Sequence, residues 1–152
     1  MPIREMQQHD IATIARFETD ISVISFGEEA VTDLGFHAKK LEKALRYEQQ
    51  GMIVLEVDGN IAGWMWITPR ENFVTKQTYA NFKSFYIEEP YRGSAYVDEL
   101  FEAGMTYCER EGATQILGKV HVSNLPMRLL YKKYGFKPTH ITMELSTSDA
   151  ND

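Results

Sequence analysis

YIEEPYRGSAYVDEL, residues 86–100, is the stretch from which the fold can be read. It opens as the end of an apolar strand and turns through Pro90 and Arg92-Gly93. It then enters a helix whose Val97, Leu100, Phe101, Gly104, Met105 and Cys108 recur at 3–4 spacing, with Gly112 standing where a C-terminal cap belongs. A strand that turns directly into a helix presents unpaired backbone N–H groups at the helix start, here beside an arginine, so the junction is a prospective anion site.

Working upstream, YANFKSFYI (79–87) is an aromatic-rich strand that Pro90 brings to an end. Before it, TPRENFVTKQT (68–78) reads as a loop. MIVLEV and NIAGWMWI flank Asp58-Gly59, the dipeptide favoured by type I′ turns, and predict a β-hairpin. Trp64 and Trp66 alternate with Met65 and so share one face, which suits packing under a helix first and a substrate wall second. Further back, Leu34, Ala38, Leu41, Leu45 and Glu48 give a helical stripe over 37–50. Ile11, Ile14, Ala15, Glu18 and Ile21 give another, with Asp10 as cap, and PIREM (2–6) suits a short first strand. Between those helices, residues 22–36 show no sustained period and read as a loop or broken helix carrying Phe26 and Phe36.

Downstream, ATQILGKVHV (113–122) reads as a strand. Ser123-Asn124 can cap a helix with Pro126 in its first turn and Met127, Leu130, Tyr131 and Tyr134 on its apolar side, and Gly135 stops it. Ile141, Met143 and Leu145 alternate as a half-buried strand. The reading is one domain over 1–146 and a polar tail over 147–152, expected to be disordered.

The 152 residues are enough for one buried core, and no apolar run approaches the ~18 residues of a membrane span. The polar N-terminus does not resemble a signal peptide, and the single cysteine, Cys108, excludes an internal disulfide or a cysteine-rich metal site. A cytoplasmic location with no metal and no membrane is expected. Cys108 lies on a buried stripe and reads as a packed, inert thiol. A formal charge of −6 argues against nucleic acid as a partner.

Four local stretches, VDGNIAG, FYIEEPYRG, VSN and NLPMRLLYKKYGF, together with the order of elements, resemble the GNAT superfamily of acetyl-CoA-dependent N-acetyltransferases over residues 2–145. The last stretch is the most specific: Asn124 and Tyr131 lie seven residues apart, about two turns on one helix face, just before Gly135-Phe136. The resemblance implies an α+β fold with a central, twisted, mostly antiparallel mixed sheet flanked by helices. One departure stands out. Ala95 and Val97 occupy the two positions of the phosphate loop where the family prefers glycine or alanine.

The resemblance also implies roles. The pyrophosphate of acetyl-CoA would lie on the backbone N–H groups of Arg92, Gly93, Ser94, Ala95, Tyr96 and Val97, helped by the charge of Arg92. The pantetheine arm would pair with the backbone of Phe85 and Ile87, with the Ile87 N–H facing the thioester oxygen. Asn124 would hold that arm and Tyr131 would be the general acid, although an apolar stripe also suits Tyr131 as core. Glu88 is the candidate base, with Glu89 behind it and Glu28 or Glu29 as outsiders. His121 could line the site or be structural, and Arg128 and Lys132 read as surface charges or partners of the cofactor's 3′-phosphate. The expected activity is acetyl transfer to the primary amine of a small molecule or peptide. The alternative is an inactive GNAT-like acyl-CoA-binding sensor or interaction module. Exposed apolar residues in 22–36 and along the final strand leave room for a homodimer.

Overall fold

A computed structural model of the chain describes residues 2–27, 30 and 32–147. Two compact units divide the chain, residues 1–119 and 120–152. The first contains β1 (Ile3–Glu5), α1 (Ile11–Phe26), α2 (Leu34–Glu48), β2 (Met52–Val57), β3 (Asn60–Glu71), β4 (Thr78–Ile87), α3 (Ala95–Arg110) and β5 (Gln115–Gly118). The strands lie in sequence order, and all neighbours are antiparallel except β4 and β5. That parallel pair needs a crossover, which α3 supplies. At the β2–β3 turn both Asp58 (φ 51°) and Gly59 (φ 80°) are left-handed, as a type I′ turn requires.

Alternation along the strands builds two cores. Met52, Val54, Trp64, Trp66 and Tyr86 pack with Ile14, Phe17 and Leu41 of the α1–α2 layer. Met65, Ile67, Phe82 and Phe85 face α3, where the Phe101 ring lies 5.6 Å from Phe82 and 5.7 Å from Phe85. Helix α3 sits so close to β3 that a Cβ on Gly104 would come within 2.4 Å of the Met65 sulfur. Both tryptophans are thus core residues, as the alternation predicts. Cys108 is buried as well, and burial pushes its thiol up to about 11, which makes it a poor nucleophile.

Several boundaries differ from the sequence reading. Helix α1 continues through 22–26, and α2 begins at Leu34 instead of His37, which leaves a shorter connection. Glu28, Glu29 and the tail from 148 lie outside the described residues. Strands β3 and β4 extend into the expected 68–78 loop, pairing Thr68 with Asn81 through Glu71 with Thr78. The expected strand over 113–122 is assigned only at 115–118.

In the second unit, α4 (Leu125–Lys133) is the one regular element among the described residues. Its end is a Schellman closure: the Phe136 N–H donates to Tyr131 O (3.0 Å), the Gly135 N–H donates to Lys132 O (3.1 Å), and Gly135 takes φ 85°. Residues 137–147 form no helix or strand there, and Ile141, Met143 and Leu145 are exposed. No helix among the described residues is long and apolar enough to cross a membrane.

Candidate functional site

The carboxyl end of β4 leaves its neighbour. The last β4–β5 pair is Phe82 with Gly118, yet β4 continues to Ile87. Immediately after that pair the β3–β4 register slips: Trp66 faces Ser84 while Ile67 faces Phe82, so Lys83 is the extra residue of a bulge, and bulges bend a strand. The Glu88 N–H donates to Ala62 O on β3 (2.8 Å). Because successive residues of an antiparallel strand direct their backbone groups to opposite sides, those of Phe85 and Ile87 point away from β3, along the edge that β5 has left.

The chain then passes through a single 3₁₀ turn at Glu89–Tyr91 into α3. Gly93 (φ 73°) has the left-handed conformation that glycine adopts without strain. Ser94 is the N-cap: its Oγ accepts from the Tyr96 N–H (3.3 Å) and donates to Tyr91 O (2.5 Å), while the Val97 N–H donates to Ser94 O (3.2 Å). The Arg92 N–H donates to Glu89 O (3.2 Å). The expected donor run over 92–97 therefore narrows. Those of Gly93, Ser94 and Ala95 remain without a protein acceptor among the described residues, at the positive end of a 16-residue helix. At the two departing positions, Ala95 is exposed and Val97 is half-buried.

Arg92 does not extend away from the chain. Its Nε donates to Ile87 O at 2.8 Å, and its guanidinium carbon lies 5.4 Å from the Tyr86 ring centre. Tyr86 stacks on Phe17 (4.6 Å) and donates from its hydroxyl to Asp20 Oδ2 (2.9 Å), and burial, foremost, pushes this phenol up to about 12. Glu88 is part-exposed and accepts from Arg16 Nη2 at 2.5 Å. Glu18, nearly buried, accepts from Trp64 Nε1 at 3.0 Å. Helix α1 thus brings Arg16, Phe17 and Asp20 to the strand end, a contribution the sequence reading missed. The signal was available: residues 16, 17 and 20 lie within about one helical turn beside the buried stripe of α1.

In the second unit, Asn124 is the N-cap of α4, its Oδ1 accepting from the Met127 N–H at 3.3 Å. Its carbonyl oxygen is thereby engaged in the cap, whereas the amide NH₂ is a separate donor. Tyr131 is buried, its ring 4.9 Å from that of Phe136, and burial pushes its phenol up to about 12, so it holds its proton at neutral pH. His121 Nδ1 engages Ser123 through the backbone N–H (3.1 Å) and the hydroxyl (2.7 Å). Arg128 donates to Val122 O (2.8 Å). These two contacts tie the segment leading into α4. Among the described residues, no three His, Cys, Asp or Glu side chains converge as a metal site.

A model of the Acetyltransferase (GNAT) family matches residues 12–136. A Bacillus subtilis (strain 168) protein, provisionally named a ribosomal-protein-alanine N-acetyltransferase, is 27% identical over 152 residues, covering 99% of this chain and 89% of the relative. Among solved structures, a point mutant of a Bacillus halodurans protein superposes with a TM-score of 0.83 at 18% identity, covering 97% of this chain and 100% of the other. A ribosomal-protein-alanine N-acetyltransferase of Brucella melitensis biovar Abortus superposes with a TM-score of 0.73 at 14% identity, covering 96% and 98%. The last two are likenesses of fold.

Proposed function

Because the chain belongs to the GNAT acetyltransferase family, we propose that it moves an acetyl group from acetyl-CoA to a primary amine by direct transfer, with no covalent enzyme intermediate. The observation that carries this reading is the continuity of two binding features in one stretch. An edge of β4 that β5 has left leads within a few residues to the unpaired N–H groups of Gly93, Ser94 and Ala95. An extended arm with amide groups suits the former, and a pyrophosphate suits the latter.

The chemistry requires a neutral amine, a polarised thioester carbonyl and a proton for the departing thiolate. The Ile87 N–H is assigned the thioester oxygen. Tyr131 is assigned proton donation, supported by a phenol that keeps its proton at neutral pH. Asn124 is assigned the arm through its NH₂ group. Glu88 is assigned the amine's proton, taken directly or through water, on the carboxylate oxygen that Arg16 leaves open. As the amine nitrogen attacks the acetyl carbon, the amide bond forms and the carbon–sulfur bond breaks. The acceptor is a small-molecule or peptide amine. The name of the Bacillus subtilis relative, a ribosomal-protein-alanine N-acetyltransferase, favours a peptide or protein amine.

Thermal-shift titration with acetyl-CoA and with CoA tests the reading. Saturation at ~100 times the dissociation constant adds about 2.7 kcal/mol, a rise of roughly 5–10 °C for a chain of this size. No shift at millimolar ligand would sink it. A shift without turnover of any amine would favour the acyl-CoA sensor, the reading to which Val97 in the phosphate loop lends weight.

A further inference from the structure

We infer that Arg92 serves acetyl transfer as a positioning residue for the end of β4, and not as a charge partner of the cofactor's phosphates; the inference rests on the acetyltransferase reading above. The peptide unit joining Ile87 to Glu88 is held at both ends. Its N–H donates to Ala62 O on β3 at 2.8 Å, and its carbonyl accepts from Arg92 Nε at 2.8 Å. One face of the guanidinium is directed to the Tyr86 ring, 5.4 Å from its centre. That ring is itself braced from α1 by the Phe17 stack and the Asp20 hydrogen bond. A guanidinium committed to a carbonyl and an aromatic face is held by planar, directional contacts, which an ammonium does not reproduce.

This arrangement has two chemical consequences for the open edge. First, the Ile87 carbonyl is already engaged, so the edge offers the Ile87 N–H as a donor without a competing bare acceptor beside it. Second, a fixed positive charge stands next to the point where negative charge develops on the thioester oxygen, in a geometry set before any ligand arrives. A bare carbonyl at that point would oppose the same charge. Arg92 therefore acts through Ile87, and phosphate recognition falls to the backbone of Gly93, Ser94 and Ala95.

Arg92→Gln and Arg92→Lys separate the alternatives in the intact chain, with three measurements. Amide hydrogen exchange at Glu88, measured without ligand, should quicken in both variants as the peptide loses one of its two anchors. Calorimetric affinity for acetyl-CoA should stay within about threefold of the parent, whereas turnover of an amine acceptor should fall at least about tenfold, with lysine failing to restore it. Unchanged exchange at Glu88 overturns the clamp. Quickened exchange with undiminished turnover overturns its role in the reaction. A tenfold loss of affinity that lysine repairs, with turnover at saturation retained, makes Arg92 a phosphate partner and overturns the proposal. Failure of the parent chain to bind acetyl-CoA would instead sink the acetyltransferase reading, and with it the role given to Arg92, while the exchange data still report on the clamp.

Discussion

At the scale of single residues, Tyr131 makes the sharpest claim, since burial both hides its phenol and keeps it protonated. Tyr131→Phe removes the proton and leaves the ring against Phe136. The expected outcome is a fall in turnover of about 10²–10⁴ with acetyl-CoA affinity nearly unchanged. Steady-state kinetics beside calorimetry checks this, and a variant as active as the parent removes Tyr131 from the chemistry. The seven-residue spacing of Asn124 and Tyr131 before Gly-Phe, on which their proposed roles rest, was legible because it is a property of the chain itself. The Arg92 contact was not legible. A side chain that folds back five residues to a carbonyl leaves no periodic trace, and an arginine at a helix start reads as free charge until its partner is seen.

At the scale of elements, the Schellman closure explains why Gly135-Phe136 follows the tyrosine: Gly135 makes the left-handed turn and donates to Lys132 O, and Phe136 then donates to Tyr131 O and packs on its ring. Alanine at Gly135 would have to hold φ 85°, at a cost of about 1–2 kcal/mol. Urea denaturation should show that loss for Gly135→Ala, and Gly135→Asn should recover part of it. Equal stability of the alanine variant would mean the closure does not hold the helix end. Elsewhere, element ends were misjudged where burial and backbone pairing part company. Helix α1 keeps its backbone bonds through Val23, Ile24 and Phe26, whose side chains are exposed, so the buried stripe fades before the helix does. Pro69 stands inside β3. It lies beyond Trp66, the last residue that β2 pairs, so its missing N–H faces no partner strand on that side and the strand continues. Ile141, Met143 and Leu145 alternate as strands do, yet alternation describes a side-chain pattern and not a backbone pairing.

At the scale of the molecule, stability and binding should respond to separate handles. Asp10 is buried; burial alone would raise its pKa, but the two-pronged hydrogen bond from Arg4 and the Gln7 N–H outweigh this and hold the carboxyl below its ordinary range. A carboxyl whose pKa is lowered by folding stabilises the fold above its unfolded value, near 3.9, and that contribution disappears as pH falls through the folded value. Asp10→Asn should therefore cost about 1–3 kcal/mol at neutral pH, and the gap between the two urea midpoints should close on acidification below about pH 4. A gap that is constant with pH would mean the charge on Asp10 does not matter. The bulge at Lys83 gives the other handle. Past the β5 pairing, β3 and β4 differ by a single residue, and a deletion at Lys83 would make the count even on both sides. Trp66 could then still face Ser84 and Ile67 still face Phe82, so the shortened chain should fold, but on a ladder with no bend where β5 ends. Acetyl-CoA affinity at least about tenfold weaker in a folded deletion variant is the expected result, and parental affinity would refute it. Room for a ligand would then be a matter of arithmetic along the chain: one odd residue, added to one strand of a matched pair.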